Sequence, residues 1–268
     1  MKLTVTGSGT SHGMPVIGCK CKACTSKNPK DRRFRTSAIV QNKDTYVVID
    51  TGPEFRLQAL AYGLCKLDAV LLTHAHADHV HGLDDIRVFS RDRSIPVYSD
   101  PNTLEEVRCC YDYVFRPTQK GGGKPLIELI NSTDYNQDKP LTIGSIDFVP
   151  VPMMHGILPT TGWRFGKFAY LTDLSFLPPS SFDRIKDIEV LVIDGLRTKP
   201  HETHFTFDQA LETAEKTTAT QIYLTHFCHD YTHKEIKQLL NQKKKNYGRL
   251  ADCIVEPAYD GLSIEIKD

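Results

Sequence analysis

The stretch Thr73-His-Ala-His-Ala-Asp-His79 closes an apolar run and brings His74, His76, Asp78 and His79 together. In an extended segment alternate side chains share a face, so His74 and His76 point the same way. Asp78 and His79 follow where the chain turns into a helix. Ligands facing two directions suit two adjacent metal ions. Two ions roughly 3.5–4 Å apart can hold a hydroxide and clamp both oxygens of an in-line displacement. Mixed imidazole and carboxylate donors accept either manganese or zinc. A second constellation lies upstream, where Cys19, Cys21 and Cys24 supply three thiolates in a tight loop. Thiolates are soft and select zinc. A structural zinc closes its tetrahedron with a fourth ligand. His229 is the candidate, with adjacent Cys228 as its rival. The remaining Cys65, Cys109, Cys110 and Cys253 lack such spacing and read as packing residues. His12, His81, His201 and His233 read individually as ordinary surface or core histidines.

These residues need a scaffold. Lys2–Gly7, Thr36–Gln41, Thr45–Thr51 and Leu67–Thr73 read as strands, the last running into the histidine cluster. A short helix over His79–Asp92 and a strand over Ile95–Ser99 follow. Pro101–Tyr113 reads as a helix with proline in its first turn. Ile143–Pro152, Trp163–Leu171, Val190–Asp194 and Gln221–Thr225 are further strands. Thr206 with Gln209, and Thr232 with Glu235, have the spacing of capping boxes, opening helices to about Ala219 and Lys245. Cys253–Ile266, with Asp260-Gly261 at a turn, reads as a hairpin. Arg116–Lys139, with Gly121-Gly122-Gly123, reads as a long loop or insertion. The alternation predicts an α/β sandwich of two halves, with residues 1–268 forming one domain.

The bulk numbers exclude some classes. Lysine plus arginine is 33 and aspartate plus glutamate is 33, so net charge is zero. That argues against a strongly basic nucleic-acid surface. No apolar run reaches the roughly 18 residues of a membrane helix. The start, Met1 to Thr10, reads as a first strand rather than an export signal, which makes the cytoplasm the expected compartment. There the eight cysteines serve as thiols or metal ligands rather than disulfides.

THAHADH resembles the HxHxDH signature of the metallo-β-lactamase superfamily. Met154-His155-Gly156, Leu171-Thr172-Asp173 and Leu224-Thr225-His226 resemble its later motifs, in order. The resemblance implies a four-layer αβ/βα sandwich. It also implies that His74, His76 and His155 bind one metal, that Asp78, His79 and His226 bind the other, and that Asp173 is shared. GSGTSHGMPVIGCKCKAC, followed by DRRFRTSA and the late Thr225-His-x-x-His229, is similar to the phosphoribosyl 1,2-cyclic phosphate phosphodiesterases of the carbon–phosphorus lyase pathway. Those enzymes pair the two-metal site with a Cys3His zinc site, here Cys19, Cys21, Cys24 and His229. The zinc would staple the N-terminal loop to the segment bearing His226. They also place a histidine at the position of His204, a general acid for the departing oxygen, with His201 as a nearby competitor. Family members often pair as dimers.

The reading is therefore a cytoplasmic phosphodiesterase with two catalytic divalent metals, Mn2+ or Zn2+, and one structural Zn2+. It would act on a small cyclic sugar phosphate through Asp78, Asp173 and His204. Arg32, Arg33, Arg35, Lys120, Lys124 and the Gly7–Ser11 loop are candidates to meet substrate phosphates. The rivals are a tRNA 3′-end endonuclease, a hydrolase of esters, thioesters or lactams, and a non-catalytic carrier of the same fold.

Overall fold

Two seven-stranded sheets carry the chain. They are seen in a computed structural model that describes residues 1–117 and 123–266; Lys120, Gly121 and Gly122 lie outside the described residues. In chain order the strands are β1 (Lys2–Gly7), β2 (Ser37–Asn42), β3 (Thr45–Ile49), β4 (Ala69–Leu71), β5 (Ile95–Ser99), β6 (Ile127–Asn131) and β7 (Leu141–Ile143). The later ones are β8 (Ile146–His155), β9 (Leu158–Phe165), β10 (Phe168–Leu171), β11 (Val190–Asp194), β12 (Gln221–Thr225), β13 (Ile254–Pro257) and β14 (Ser263–Glu265). The helices are α1 (Phe55–Ala61), α2 (Ala77–Val80), α3 (Pro101–Cys110), α4 (Asp112–Phe115), α5 (Pro179–Arg184), α6 (Phe207–Glu215) and α7 (His233–Lys243). One sheet has the order β14-β1-β2-β3-β4-β5-β6, the other β13-β12-β11-β10-β9-β8-β7.

Strand direction explains where a site can form. β3, β4, β5 and β6 are mutually parallel, as are β10, β11, β12 and β13. β8 runs the same way as β10, because both are antiparallel to β9. All these strands in each sheet therefore end at a common edge, where sites of α/β sheets collect.

Three apolar layers hold four structural layers together. Trp163, Phe148, Phe165 and Phe168, all buried, fill the space between the sheets. Phe207, Leu211 and Ile236 of α6 and α7 pack with Val151, Leu191 and Ile222 on one outer face. Phe55, Leu83, Ile86 and Val107 pack with Val48, Val70 and Val97 on the other. The result is the expected αβ/βα sandwich. Both expected capping boxes close, at Thr206 with Gln209 and Thr232 with Glu235.

Several local expectations are corrected. Cys253–Ile266 is not a hairpin: β13 extends one sheet beside β12, and β14 crosses to the other beside β1. Turn chemistry cannot say which sheet edge is open. Trp163–Leu171 breaks at Gly166, whose φ is +50°, into the β9–β10 hairpin. Met153, Met154 and His155 extend the strand expected to stop at Pro152. The helix expected over His79–Asp92 is α2 followed by a 3-10 turn over Leu83–Val88. Part of the expected 116–139 loop is β6, an edge strand beside β5. Helix α1 was not legible. Cys253 is buried, but Cys65, Cys109 and Cys110 are exposed rather than packed.

Trp163 is the largest of the fully buried side chains. Trp163→Ala should cost about 3–5 kcal/mol, read as a lower denaturation midpoint with secondary structure retained.

Candidate metal centre and active site

The expected ligands arrive at the common edge from both sheets. His74 follows β4, and Asp78 and His79 lie in α2, so one sheet supplies them. His155 ends β8, Asp173 follows β10 and His226 follows β12 in the other. Donor atoms of His74, His76 and His155 lie within 4.8 Å of one another, and so do those of Asp78, His79, Asp173 and His226. Asp173 joins the sets, because its carboxylate also lies within 4.8 Å of His155 and His204; one oxygen is 3.3 Å from His79 Nε2 and the other 3.2 Å from His226 Nε2.

The edge is held by unusual backbone. Asp50, Asp173 and His226 have φ of +60°, +56° and +65°. Side chains rarely adopt this region, and such residues concentrate at functional sites. Gly52 permits a close approach: a Cβ there would lie 2.2 Å from the Asp78 carbonyl oxygen.

Two aspartates that sequence reasoning missed orient the rings. Asp50, fully buried, accepts from His79 Nδ1 at 2.7 Å and from Thr73 Oγ1 at 2.9 Å. Thr73 Oγ1 lies 3.0 Å from His74 Nδ1. One carboxylate thus fixes His79 directly and His74 through Thr73, leaving both Nε2 atoms turned to the site. His155 Nδ1 donates to the Thr203 carbonyl at 2.7 Å. Asp194, also fully buried, accepts from His204 Nδ1 at 2.8 Å. Their only sequence signal was an acidic residue at the end of each buried strand, β3 and β11.

The donor set fits divalent cations. His79 Nε2 and both nitrogens of His226 are buried without a hydrogen-bond partner. His79 Nε2 and His226 Nε2 stand 3.2–3.3 Å from Asp173 oxygens but make no directed bond to them, as ligands around a shared ion do. Buried carboxylates without a compensating cation would be costly. Burial opposes ionisation of Asp173, yet His226 and His79 outweigh it and hold its pKa well below the usual range. Burial also opposes the charged form of His204, but Asp194 and then Asp173 outweigh it and raise its pKa.

His204 is buried and its ring stacks on His226, with centroids 4.6 Å apart. His201 lies 5.1 Å from the His204 ring but is exposed, and burial lowers its pKa. Of the two, His204 is the one brought into the site.

Cys19, Cys21 and Cys24 place their sulfurs 3.3, 3.5 and 3.6 Å from His229 Nδ1. A tetrahedral zinc with ordinary Zn–S and Zn–N distances separates such atoms by roughly 3.5 Å. Cys228 is outside this cluster, and burial pushes its thiol up to about 11. Around it, Thr10 N donates to Phe227 O and Phe227 N donates to Ser8 O. The thiol loop is thereby tied to the strand end that carries His226.

The other candidates are outside the ligand clusters. Arg33 is buried beneath the loop, donating to Ser8 Oγ and the Ala258 carbonyl, so it does not meet substrate. Arg35 is ion-paired with Glu54. Lys124 donates to the Arg116 carbonyl, and Arg32 is exposed. His12 and His81 are exposed and outside the ligand clusters.

Residues 45–227 match the family model of the beta-lactamase superfamily domain. The chain belongs to this superfamily. It is 38% identical over its whole length to an octanoyltransferase of Porphyromonas gingivalis, covering 52% of that protein. The chain spans about half or less of the curated relatives it matches first. A crystal structure of a diphosphatase from the PhnP family is 37% identical, with a TM-score of 0.86 over 99% of this chain and 98% of that one. Zinc-bound PqqB from Methylobacterium extorquens is 16% identical, with a TM-score of 0.76 over 99% of this chain and all of that one, a likeness of fold alone. No helix among the described residues is long and apolar enough to cross a membrane.

Cys21→Ser should remove one equivalent of zinc per chain by elemental analysis while the catalytic metals stay. The pair of His204 and Asp194 has its own pH signature. Because His204 is raised above its ordinary value of about 6.5, the stability it contributes to metal-free protein is complete below that pH. It is lost as pH rises through the raised value. Thermal midpoints of metal-free protein should fall over that window, and Asp194→Asn should flatten the fall.

Proposed function

We propose that this chain is a metal-dependent phosphodiesterase acting on a small, cyclic sugar phosphate. The observation that carries it is the Asp173 carboxylate, close to His79 and His226 of one ligand set and to His155 of the other, with a histidine held by Asp194 beside them. The likeness to the PhnP-family diphosphatase over nearly the whole chain supports the same reading.

In this reading His74, His76 and His155 hold one ion, Asp78, His79 and His226 hold the other, and Asp173 is shared. Divalent ions at these positions supply positive charge to the phosphate oxygens and lower the pKa of water. Asp50 keeps His79 and His74 in the tautomers that present Nε2. Asp78, at 9% the most exposed of its ligand set, faces incoming water. His204 Nε2 protonates the departing oxygen. Asp194 holds Nδ1 and keeps the ring charged until that step. Cys19, Cys21, Cys24 and His229 hold a structural zinc that fixes the His226 loop.

We also read residues 1–268 as one hydrolase domain, cytoplasmic and paired as a homodimer, with a small-molecule substrate rather than nucleic acid. Zero net charge favours that over the tRNA endonuclease reading. The acyl transfer named for the Porphyromonas gingivalis relative is not carried over, because the match covers only 52% of that protein.

Asp173→Ala should abolish turnover of 5-phosphoribosyl 1,2-cyclic phosphate by metal-loaded protein. His204→Ala should lower kcat about 10²–10⁴-fold on that substrate. It should do far less on a p-nitrophenyl diester, whose leaving group needs no proton. Equal losses on both would remove the general-acid role. Full activity of Asp173→Ala would remove the proposed site.

A further inference from the structure

The edge that carries the ligands continues past them. Asp100 follows β5 and Ser132 follows β6, at the same ends of the parallel strands as His74. Together with Met154, Pro159 and Pro152 they line a cavity of about 290 Å³. That is near the small end of ligand pockets, roughly 300–1,000 Å³.

The cavity adjoins the site, although none of its lining residues is a ligand. Its Met154 precedes His155 in β8. Its Thr160 donates Oγ1 to the Asp173 carbonyl at 3.3 Å, and the Thr161 N–H donates to the Thr73 carbonyl at 2.9 Å. The lining thus bonds the Asp173 backbone directly and reaches His74 through the neighbouring Thr73.

Its chemistry is specific. Four prolines and two methionines make half of the lining and give the walls an apolar character that favours an apolar occupant. Ser132 is 1% exposed, and its hydroxyl has no hydrogen-bond partner. A buried hydroxyl without a partner is costly, and a ligand with a hydrogen-bonding group would satisfy it. Arg184 also lines the cavity; Nη1 donates to the Pro150 and Tyr135 carbonyls, and it has no carboxylate partner among the described residues. The Asp100 carboxylate is occupied in capping α3. The apolar character extends outward: the Phe176 backbone bonds that of Met154, and the residue is 53% exposed. Beyond it Ile157, at the tip of the β8–β9 hairpin, is 98% exposed.

We infer that this cavity is a specificity subsite for an uncharged, mainly apolar arm of the substrate that ends in a carbonyl or hydroxyl group. This inference rests on the phosphodiesterase reading but goes beyond the cyclic sugar phosphate, to diesters that carry a second, separate organic group. The arm lies between the β8–β9 hairpin and the ends of β5 and β6, with its polar end at Ser132 and Arg184. The phosphorus stays at the ligand clusters.

The test uses metal-loaded full-length protein and two esters with the same leaving group, methyl p-nitrophenyl phosphate and 4-carbamoylbenzyl p-nitrophenyl phosphate. The benzyl ester should have a kcat/KM about tenfold higher, by a flat 25 cal/mol/Å² estimate of ring burial discounted for ordering, with the gain mainly in KM. Thr133→Trp, at an exposed position on the cavity mouth, should erase that preference and leave the methyl ester unchanged. Ser132→Ala should weaken the benzyl ester alone. Direct binding of 4-(hydroxymethyl)benzamide, which has no phosphorus, should be detectable by ligand-observed NMR and weakened at least fivefold by Thr133→Trp. Equal use of both esters by the parent protein, or binding of the benzamide that Thr133→Trp does not alter, overturns the inference. If neither ester is hydrolysed, the phosphodiesterase reading fails. The benzamide measurement then decides the cavity by itself, with no binding overturning it.

Discussion

Asp173 places one carboxylate between histidines delivered by two different sheets. That contact is possible only because the parallel strands of both sheets end at one edge and the sheets face each other across an aromatic core. Everything polar at the edge depends on it. Remove the face-to-face packing, and His79 and His226 no longer share a partner. The buried carboxylates and unpartnered imidazole nitrogens then have no reason to be tolerated in an apolar interior. Divalent cations are the compensation that this donor set fits.

Around that contact the protein uses buried acids to set the direction of its imidazoles. Asp50 and Asp194 each end a buried strand, and each takes the Nδ1 proton of a histidine. The effect differs with what the free nitrogen faces. At His79 the free Nε2 faces Asp78 and Asp173, a ligand's position. At His204 the acid raises the pKa and keeps a proton available. One device, an acid behind an imidazole, thus makes a ligand in one place and a proton donor in another.

The N-terminal loop serves the same edge from outside. Its thiols surround His229 Nδ1, while Ser8 and Thr10 pair with the backbone of Phe227. The buried Arg33 adds its guanidinium over the Phe227 ring, 4.6 Å from the centroid. Three separate kinds of contact therefore converge on the residues just after His226. That residue holds a left-handed backbone with φ of +65°, a conformation that needs such support.

Much of this was readable in the residues alone. His74, His76, Asp78 and His79 are close in sequence, and strand alternation followed by a turn is enough to divide them between two directions. The thiol spacing and both capping boxes were legible for the same reason, since each depends on a few neighbouring residues. What the sequence could not decide was long-range. Asp50 and Asp194 are ordinary strand-end acids until the fold sets them behind His79 and His204. Cys228 remained a rival to His229 until the backbone turned one of them toward the thiols. β13 and β14 looked like one hairpin until the open edges of two sheets claimed them separately. Local geometry is encoded within a few residues, whereas sheet-edge pairing and burial are properties of the whole chain, so only the tertiary structure decided them.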